Sequence, residues 1–313
     1  MSKVLITHSD LDGVTCAILF KVIYPDGKYY LENYDTVDDR IKKVLEEKPK
    51  QIFITDISPS QEVAQLLDEE YPTEQKVFLF DHHKTALDLN KYPWATIDTS
   101  KCGAVLFYIF LKCWNSSGYM SQTLEQYIAL VLHTNNYDLW IRPARHFAVI
   151  NSLLCTIGHD RFINRFLHNP SVELTETEQY LLQIEKEKEE KYVQEAVGAG
   201  MLYESPACLS ARLTGRFAVT AAERYTSEIG HKMLEILPID VAVIVNAQKG
   251  IVSLRSKEAD VSIIAKALGG GGHPRAAGFM LPKRFLLENE IALLLMGKHT
   301  LNLYSKGGTG KNG

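Results

Sequence analysis

The stretch Thr7-His8-Ser9-Asp10-Leu11-Asp12-Gly13 closes the apolar run Val4 to Thr7 and leads into a helical pattern from Gly13 to Ile23. Apolar strand, polar turn and helix in that order open a parallel α/β unit, whose ligands gather at the strand carboxyl ends. Alternate residues of an extended chain share a face, so His8, Asp10 and Asp12 point the same way if that conformation continues past Thr7. Gly13 is then expected to turn the backbone into the helix. An imidazole and two carboxylates, with no thiolate among them, suit Mn²⁺ or Mg²⁺ better than a structural zinc.

Outward from this stretch the same alternation repeats. Tyr29 to Asn33 reads as a strand, Val37 to Glu47 as a helix, and Gln51 to Thr55 as a strand ending at Asp56. Ser58 is expected to cap a helix with Pro59 in its first turn, running through Leu67. Lys76 to Phe80 is a further strand, followed by Asp81-His82-His83. The alternation predicts a parallel sheet covered on both faces, the mark of an α/β fold. Asp56 is the candidate to bridge two cations, which in two-metal sites lie roughly 3.5–4 Å apart. His82 and His83, as neighbours, face different sides, one toward metal and one toward a phosphate.

Beyond Gly103 the pattern is mostly helical to about Leu167. Thr175-Glu176-Thr177-Glu178 is a capping box, and it opens a long charged helix past Lys191. Strand signals return at Val241 to Val245 and Ile251 to Leu254, joined by a turn at Gln248-Lys249-Gly250, and Val261 to Leu268 is a helix ended by Gly269 to Gly272. The expected organisation is a catalytic domain over 1–172, a helical linker over 173–197, a smaller α/β domain over 198–305 and a flexible tail over 306–313. A chain of 313 residues exceeds what one core usually holds, in keeping with two domains. The tail's Gly308-Thr309-Gly310-Lys311 lacks the spacing and following helix of a P-loop.

Composition narrows the function classes. No run approaches the ~20 apolar residues of a membrane span, and the start resembles no signal peptide, so a cytoplasmic protein is expected. Cys16, Cys102, Cys113, Cys155 and Cys208 lack paired spacing and are expected to be reduced and mostly buried. Residues 1–197 carry 20 Lys+Arg against 29 Asp+Glu, whereas residues 198–313 carry 14 against 9. An acidic half suited to cations thus precedes a basic half suited to phosphate, and a duplex-tracking protein would be basic throughout.

His8-Ser9-Asp10-Leu11-Asp12-Gly13, Asp56 and Asp81-His82-His83 resemble the first three motifs of the DHH phosphoesterase superfamily. That superfamily includes RecJ nucleases, nanoRNases, cyclic-dinucleotide phosphodiesterases and type II pyrophosphatases. Val252-Ser253-Leu254-Arg255-Ser256, Gly269 to Gly272 and His273-Pro274-Arg275-Ala276-Ala277-Gly278-Phe279 resemble the DHHA1 substrate-binding domain. The resemblance covers nearly the whole chain. It implies two divalent cations, Mn²⁺ ahead of Mg²⁺, one held by His8, Asp10 and Asp56, the other by Asp12, Asp56, His82 and a fourth-motif aspartate. Asp138 is chosen for that last position, with Asn136 and His133 as alternatives. Asp81 is expected to orient an imidazole, and His83 to donate to the scissile phosphate and protonate the leaving oxygen.

In the second domain the resemblance implies substrate contacts from Ser253, Arg255, Gly270, Gly271, Gly272, His273 and Arg275. Glycines let backbone N–H groups approach an anion, and the two arginines offer forked donors. Length and motif layout look most like a nanoRNase, which hydrolyses short RNA fragments or dinucleotides exonucleolytically to mononucleotides. The alternatives are a 3′-phosphoadenosine 5′-phosphate phosphatase, a cyclic or linear dinucleotide phosphodiesterase, or, from another class, a non-catalytic nucleotide-sensing or RNA-binding module. Cleavage polarity, preferred length, RNA versus DNA and oligomeric state, a homodimer included, stay open. His146, His159, His168, His231 and His299 are assigned structural or surface roles. Trp94, Trp114 and Trp140 are assigned to packing rather than base stacking.

Overall fold

A computed structural model describes residues 3–71, 76–114, 119–139, 141, 144–205, 215–281, 291, 295 and 296. Trp140, Cys208, His299, the side chain of His146 and the tail 306–313 lie outside the described residues. The chain divides into two units, 1–183 and 184–313.

The first unit runs β1 (Lys3–His8), α1 (Leu11–Ile23), β2 (Lys28–Glu32), α2 (Val37–Glu46), β3 (Gln51–Thr55), α3 (Gln61–Glu70), β4 (Val77–Asp81), a 3₁₀ helix (Lys84–Lys91) and β5 (Ala95–Ile97). The helices α4 (Gly103–Trp114), α5 (Tyr119–Glu125), α6 (Ile128–Asp138), α7 (Ala144–Ile157) and α8 (His159–His168) follow, and then α9 (Glu176–Gly198). The strands form one parallel sheet in the order β2-β1-β3-β4-β5. Side-chain alternation sends one set to each face. Val4, Ile6, Ile52, Ile54, Val77 and Leu79 pack with α2 and α3, while Leu5, Phe53, Phe78 and Phe80 pack with α1 and the helices after β5. The central strands β3 and β4 are buried along their whole length, hence their nearly unbroken apolar sequence. Complete burial of a side chain such as Phe53 contributes about 1.5–3 kcal/mol.

In this strand order the connections diverge between β1 and β3, and the crevice at their carboxyl ends is where such sheets bind ligands. Two local readings need correction. The cap of α3 is Ser60, whose hydroxyl accepts from the amide of Val63. Ser58 instead donates to Asp81 and is thereby committed to the site. Among the described cysteines, Cys16 and Cys102 are buried, but Cys113 and Cys155 are exposed, because their helices turn those positions outward from the core. The capping box forms reciprocally: the amide of Thr175 donates to Glu178 Oε2 at 2.8 Å, and the amide of Glu178 donates to Thr175 Oγ1 at 3.2 Å.

The second unit holds β6 (Met201–Ser205), β7 (Gly215–Ala221), α10 (Thr226–Ile236), β8 (Val241–Asn246), β9 (Ile251–Ser256), α11 (Val261–Ala267), β10 (Gly271–His273) and β11 (Ala276–Met280). Its sheet has the order β10-β11-β9-β8-β7-β6, antiparallel except for the β7–β8 pair. Val252, Leu254, Ala277 and Phe279 join α11 on one face, and Ala242 and Ile244 meet α10 and the end of α9 on the other. No helix among the described residues is long and apolar enough to cross a membrane.

Candidate metal centre

The first motif reaches the site by a different backbone path from continuous extension. Strand β1 ends at His8, Asp10 is the N-cap of α1, and Asp12 lies in its first turn. The capping carboxylate of Asp10 accepts from the amides of Asp12 and Gly13, both at 3.1 Å, which satisfies donors that a helix start leaves orphaned. Gly13 therefore sits inside the helix rather than in a turn. A Cβ on it would stand 2.0 Å from the carbonyl oxygen of His8, so close packing of α1 on β1 excludes any side chain.

Asp12 is fully enclosed, and its two oxygens accept from the amides that open α4, Gly103 at 2.6 Å and Ala104 at 2.8 Å. The partial positive charge of a helix N-terminus thus fixes this carboxylate. Asp56, just past β3, takes φ 55, a left-handed backbone that non-glycine residues seldom adopt and that concentrates at functional sites. Asp138 is the last residue of α6.

Ligand-grade atoms of His8, Asp10 and Asp56 lie within 4.8 Å of one another, as do those of Asp12, His82 and Asp138. His8 Nδ1 is 2.9 Å from Asp10 Oδ2 and 3.8 Å from Asp56 Oδ2. His82 Nε2 is 3.2 Å from Asp56 Oδ1, 3.4 Å from Asp138 Oδ2 and 3.9 Å from Asp12 Oδ2. Asp56 thus turns one oxygen toward each group. Among the described residues, Asp138 joins the second group and His133 does not.

These donors fit divalent cations. His8 Nδ1, Asp56 Oδ2, His82 Nε2 and Asp138 Oδ2 are buried atoms without a hydrogen-bond partner, an arrangement that costs free energy unless something else satisfies it. An octahedral ion with ligands at about 2.1 Å sets neighbouring ligands about 3 Å apart and opposite ones about 4.2 Å apart, matching these separations. The charge pattern agrees. Burial and the nearby Asp12 and Asp10 charges push the Asp56 carboxyl well above its usual range, and burial with Asp10 raises that of Asp12. Burial and Asp12 raise Asp138 to about 6. For Asp10, burial works upward, but His8, Asp56 and the amide of Gly13 outweigh it and hold the carboxyl at about 2. Crowded carboxylates of this kind call for positive charge.

The side-chain partners of Asp81 are the ring of His83 and the hydroxyl of Ser58. Asp81 Oδ1 lies 2.7 Å from His83 Nδ1 and also accepts from the amides of His82 and His83. Hydrogen bonding to Asp81 raises the His83 pKa above the ordinary imidazole value. Two further residues reach this region without any motif to announce them. Tyr34 Oη is 2.9 Å from His83 Nε2, and His159 Nε2 is 2.8 Å from the carbonyl oxygen of Ser9. Of the structural or surface roles expected for His159, the contact is a structural one: it ties α8 to the turn that carries Asp10.

In the second unit, Ser253 and Arg255 alternate on one face of β9, and His273 and Arg275 are exposed at the β10–β11 turn. The Arg255 guanidinium donates to Ser227 Oγ at 3.0 Å and to the carbonyl of Leu254 at 2.9 Å, and burial lowers its pKa. Gly269, at φ 78, ends α11. Gly270 and Gly272 are required by packing, since a Cβ would meet Gly278 O at 2.1 Å or Ala276 O at 2.6 Å respectively. Gly271 pairs with Gly278 across β10 and β11.

Comparison with known proteins bears on both units. Residues 218–296 match the DHHA1 domain. The oligoribonuclease NrnB of Bacillus subtilis (strain 168) is 30% identical over 298 residues, spanning 88% of this chain and 71% of NrnB. Two solved structures share the fold. The pGpG-specific phosphodiesterase PggH of Vibrio cholerae matches with TM-score 0.54 at 12% identity, over 94% of this chain and 97% of PggH. RecJ of Thermus thermophilus in complex with Mn²⁺ matches with TM-score 0.53 at 13% identity, over 95% of this chain and 51% of RecJ. With its three aspartate and histidine motifs converging at the carboxyl ends of β1, β3 and β4, and with this similarity along most of its length, the chain belongs to the DHH/DHHA1 phosphoesterase superfamily.

Proposed function

We propose that this protein is a cytoplasmic two-metal phosphodiesterase that hydrolyses short oligonucleotides exonucleolytically to nucleoside monophosphates. The observation that carries the reading is the convergence of four buried ligand atoms that no hydrogen bond satisfies, on His8, Asp56, His82 and Asp138, beside Asp10 and Asp12. His8, Asp10 and Asp56 would hold one cation, and Asp12, Asp56, His82 and Asp138 the other, with Mn²⁺ the first candidate and Mg²⁺ the second. When bound, such a pair lowers the pKa of a water and neutralises charge on phosphoryl oxygens.

The protein's own groups do the rest. Asp81 holds His83 by its Nδ1 and so directs Nε2 outward, where a protonated ring donates to the scissile phosphate and passes a proton to the leaving oxygen. Asp12, tied to α4, cannot swing away as charge builds in the site. Arg275 and His273, exposed on their turn, bind the remaining phosphate or terminal nucleotide, with Gly270, Gly271, Gly272 and Ser253 shaping the approach. Arg255 contributes through the part of its guanidinium that Ser227 and Leu254 leave unused.

The test is a substrate panel with Mn²⁺: a labelled RNA dinucleotide, 3′-phosphoadenosine 5′-phosphate, a cyclic dinucleotide and a longer DNA strand. Release of mononucleotide from the dinucleotide, abolished by chelator and restored by Mn²⁺, is expected. Tight binding without release would overturn the reading in favour of a nucleotide sensor.

A further inference from the structure

Tyr34 occupies a position that neither metal binding nor core packing explains. It lies in the turn between β2 and α2 and is 59% exposed. A large aromatic ring left in water gains little from folding. The turn nevertheless holds it firmly: the amides of Thr36 and Val37 donate to the carbonyl of Asn33, the Asn33 amide donates to Thr36 Oγ1, and Ser9 Oγ donates to Asn33 Oδ1. The last bond fastens this turn to the loop between His8 and Asp10.

The ring is placed against the site on two sides. Its centroid is 5.1 Å from that of His8 at an interplanar angle of 40°, and 5.7 Å from that of His83, nearly perpendicular. Asp81 Oδ1 lies 2.7 Å from His83 Nδ1 on one side of the ring, and Tyr34 Oη lies 2.9 Å from Nε2 on the other. A cavity of about 260 Å³ opens beside the pair, lined by Tyr34, Ser58, Asp81, His83, Thr85 and Leu89 among others. Neither described tryptophan offers a comparable face. Trp94 stacks on Tyr92 and donates to Asp68, and Trp114 packs on Phe110 and Phe78.

We propose that Tyr34 is a substrate-contacting residue whose ring is the platform for the nucleobase next to the scissile phosphate, while its hydroxyl positions His83. A rigidly held, exposed aromatic beside a phosphate-cleaving centre is what sequence-tolerant recognition of a nucleotide requires, because every base has a π-face. The inference rests on the proposed phosphodiesterase reading.

The test compares wild type, Tyr34→Leu and Tyr34→Phe on an RNA dinucleotide and on two analogues, each with one base replaced by hydrogen. Tyr34→Leu is expected to raise KM for the dinucleotide roughly 5- to 150-fold, the range of a lost base–aromatic stack. On the analogue lacking the stacked base, the variant and wild type should have the same KM, so that the two losses are coupled. Tyr34→Phe should keep KM and lower kcat. Equal effects of Tyr34→Leu on all three substrates would overturn the platform and leave the phosphodiesterase reading intact. Failure of wild type to cleave any of them overturns both.

Discussion

The carboxylate of Asp12 and the backbone amide of Gly103 meet at 2.6 Å, joining the first turn of one helix to the start of another that lies far along the chain. Glycine is needed at this contact. A Cβ at position 103 would lie 2.9 Å from Asp56 Cβ and 3.1 Å from Asp12 Oδ2, so it would press on a candidate ligand of each proposed metal group at once.

Gly103→Ala is therefore expected to weaken Mn²⁺ binding by roughly 10- to 100-fold, the usual scale for disturbing the groups that orient metal ligands. Isothermal titration calorimetry of the variant reads this directly. An affinity within twofold of wild type would show that the start of α4 does not shape the candidate metal site.

Asp56 combines a strained backbone with a crowded charge. Replacing it by glycine relieves a left-handed conformation worth roughly 1 kcal/mol and removes a buried carboxyl. Asp56→Gly should raise the metal-free melting temperature by roughly 2–4 °C while abolishing turnover. A drop in melting temperature with retained hydrolysis would contradict the role given to this residue.

Arg275 is exposed and makes no charged contact within the protein among the described residues. If it binds substrate equally before and during bond cleavage, Arg275→Ala raises KM and leaves kcat within about twofold. Steady-state kinetics on a dinucleotide decide the matter, and an unchanged KM would remove Arg275 from the substrate site.

Acid should loosen the junction between α8 and α9. Burial works to raise the Glu178 carboxyl, but hydrogen bonds from Arg165 and from the amide of Thr175 outweigh it and leave the pKa below the ordinary value. A carboxyl lowered on folding stabilises the protein above its unfolded pKa and loses that contribution as pH falls through the folded pKa. The stability gap between wild type and Glu178→Gln should accordingly be full at pH 7 and shrink steadily below about pH 4.5. Urea unfolding at several pH values measures it, and a gap independent of pH would refute the pairing.

Strong local signals carried most of the architecture. The two-faced strands around Phe53 and Phe78, the capping box at Thr175 and the clusters closing three strands were all readable, because each depends on near neighbours in the chain. What escaped depends on distant ones. The small pair Gly103-Ala104 shows no motif, yet its amides fix Asp12. Tyr34 looked like one aromatic among many, and only folding sets it beside His83. The extended reading of His8 to Asp12 gave way to a cap because Asp10 competes successfully for the orphan amides of α1. Arg255 reads in the sequence as a forked donor for phosphate, and only the fold adds that part of its guanidinium bonds Ser227.

The candidate ligands come from the end of β1, the start of α1, the ends of β3 and β4, and the last residue of α6. No contiguous segment can assemble this pocket, so a cation cannot nucleate it in the way zinc organises a small finger. Bringing residues 8 and 138 together must precede metal capture, and the loop-closure entropy of that step falls on the hydrophobic sheet and helices. A cell short of the required divalent cation would thus accumulate folded but idle protein, and resupply would restore it within the time of ion diffusion and binding, without another round of folding.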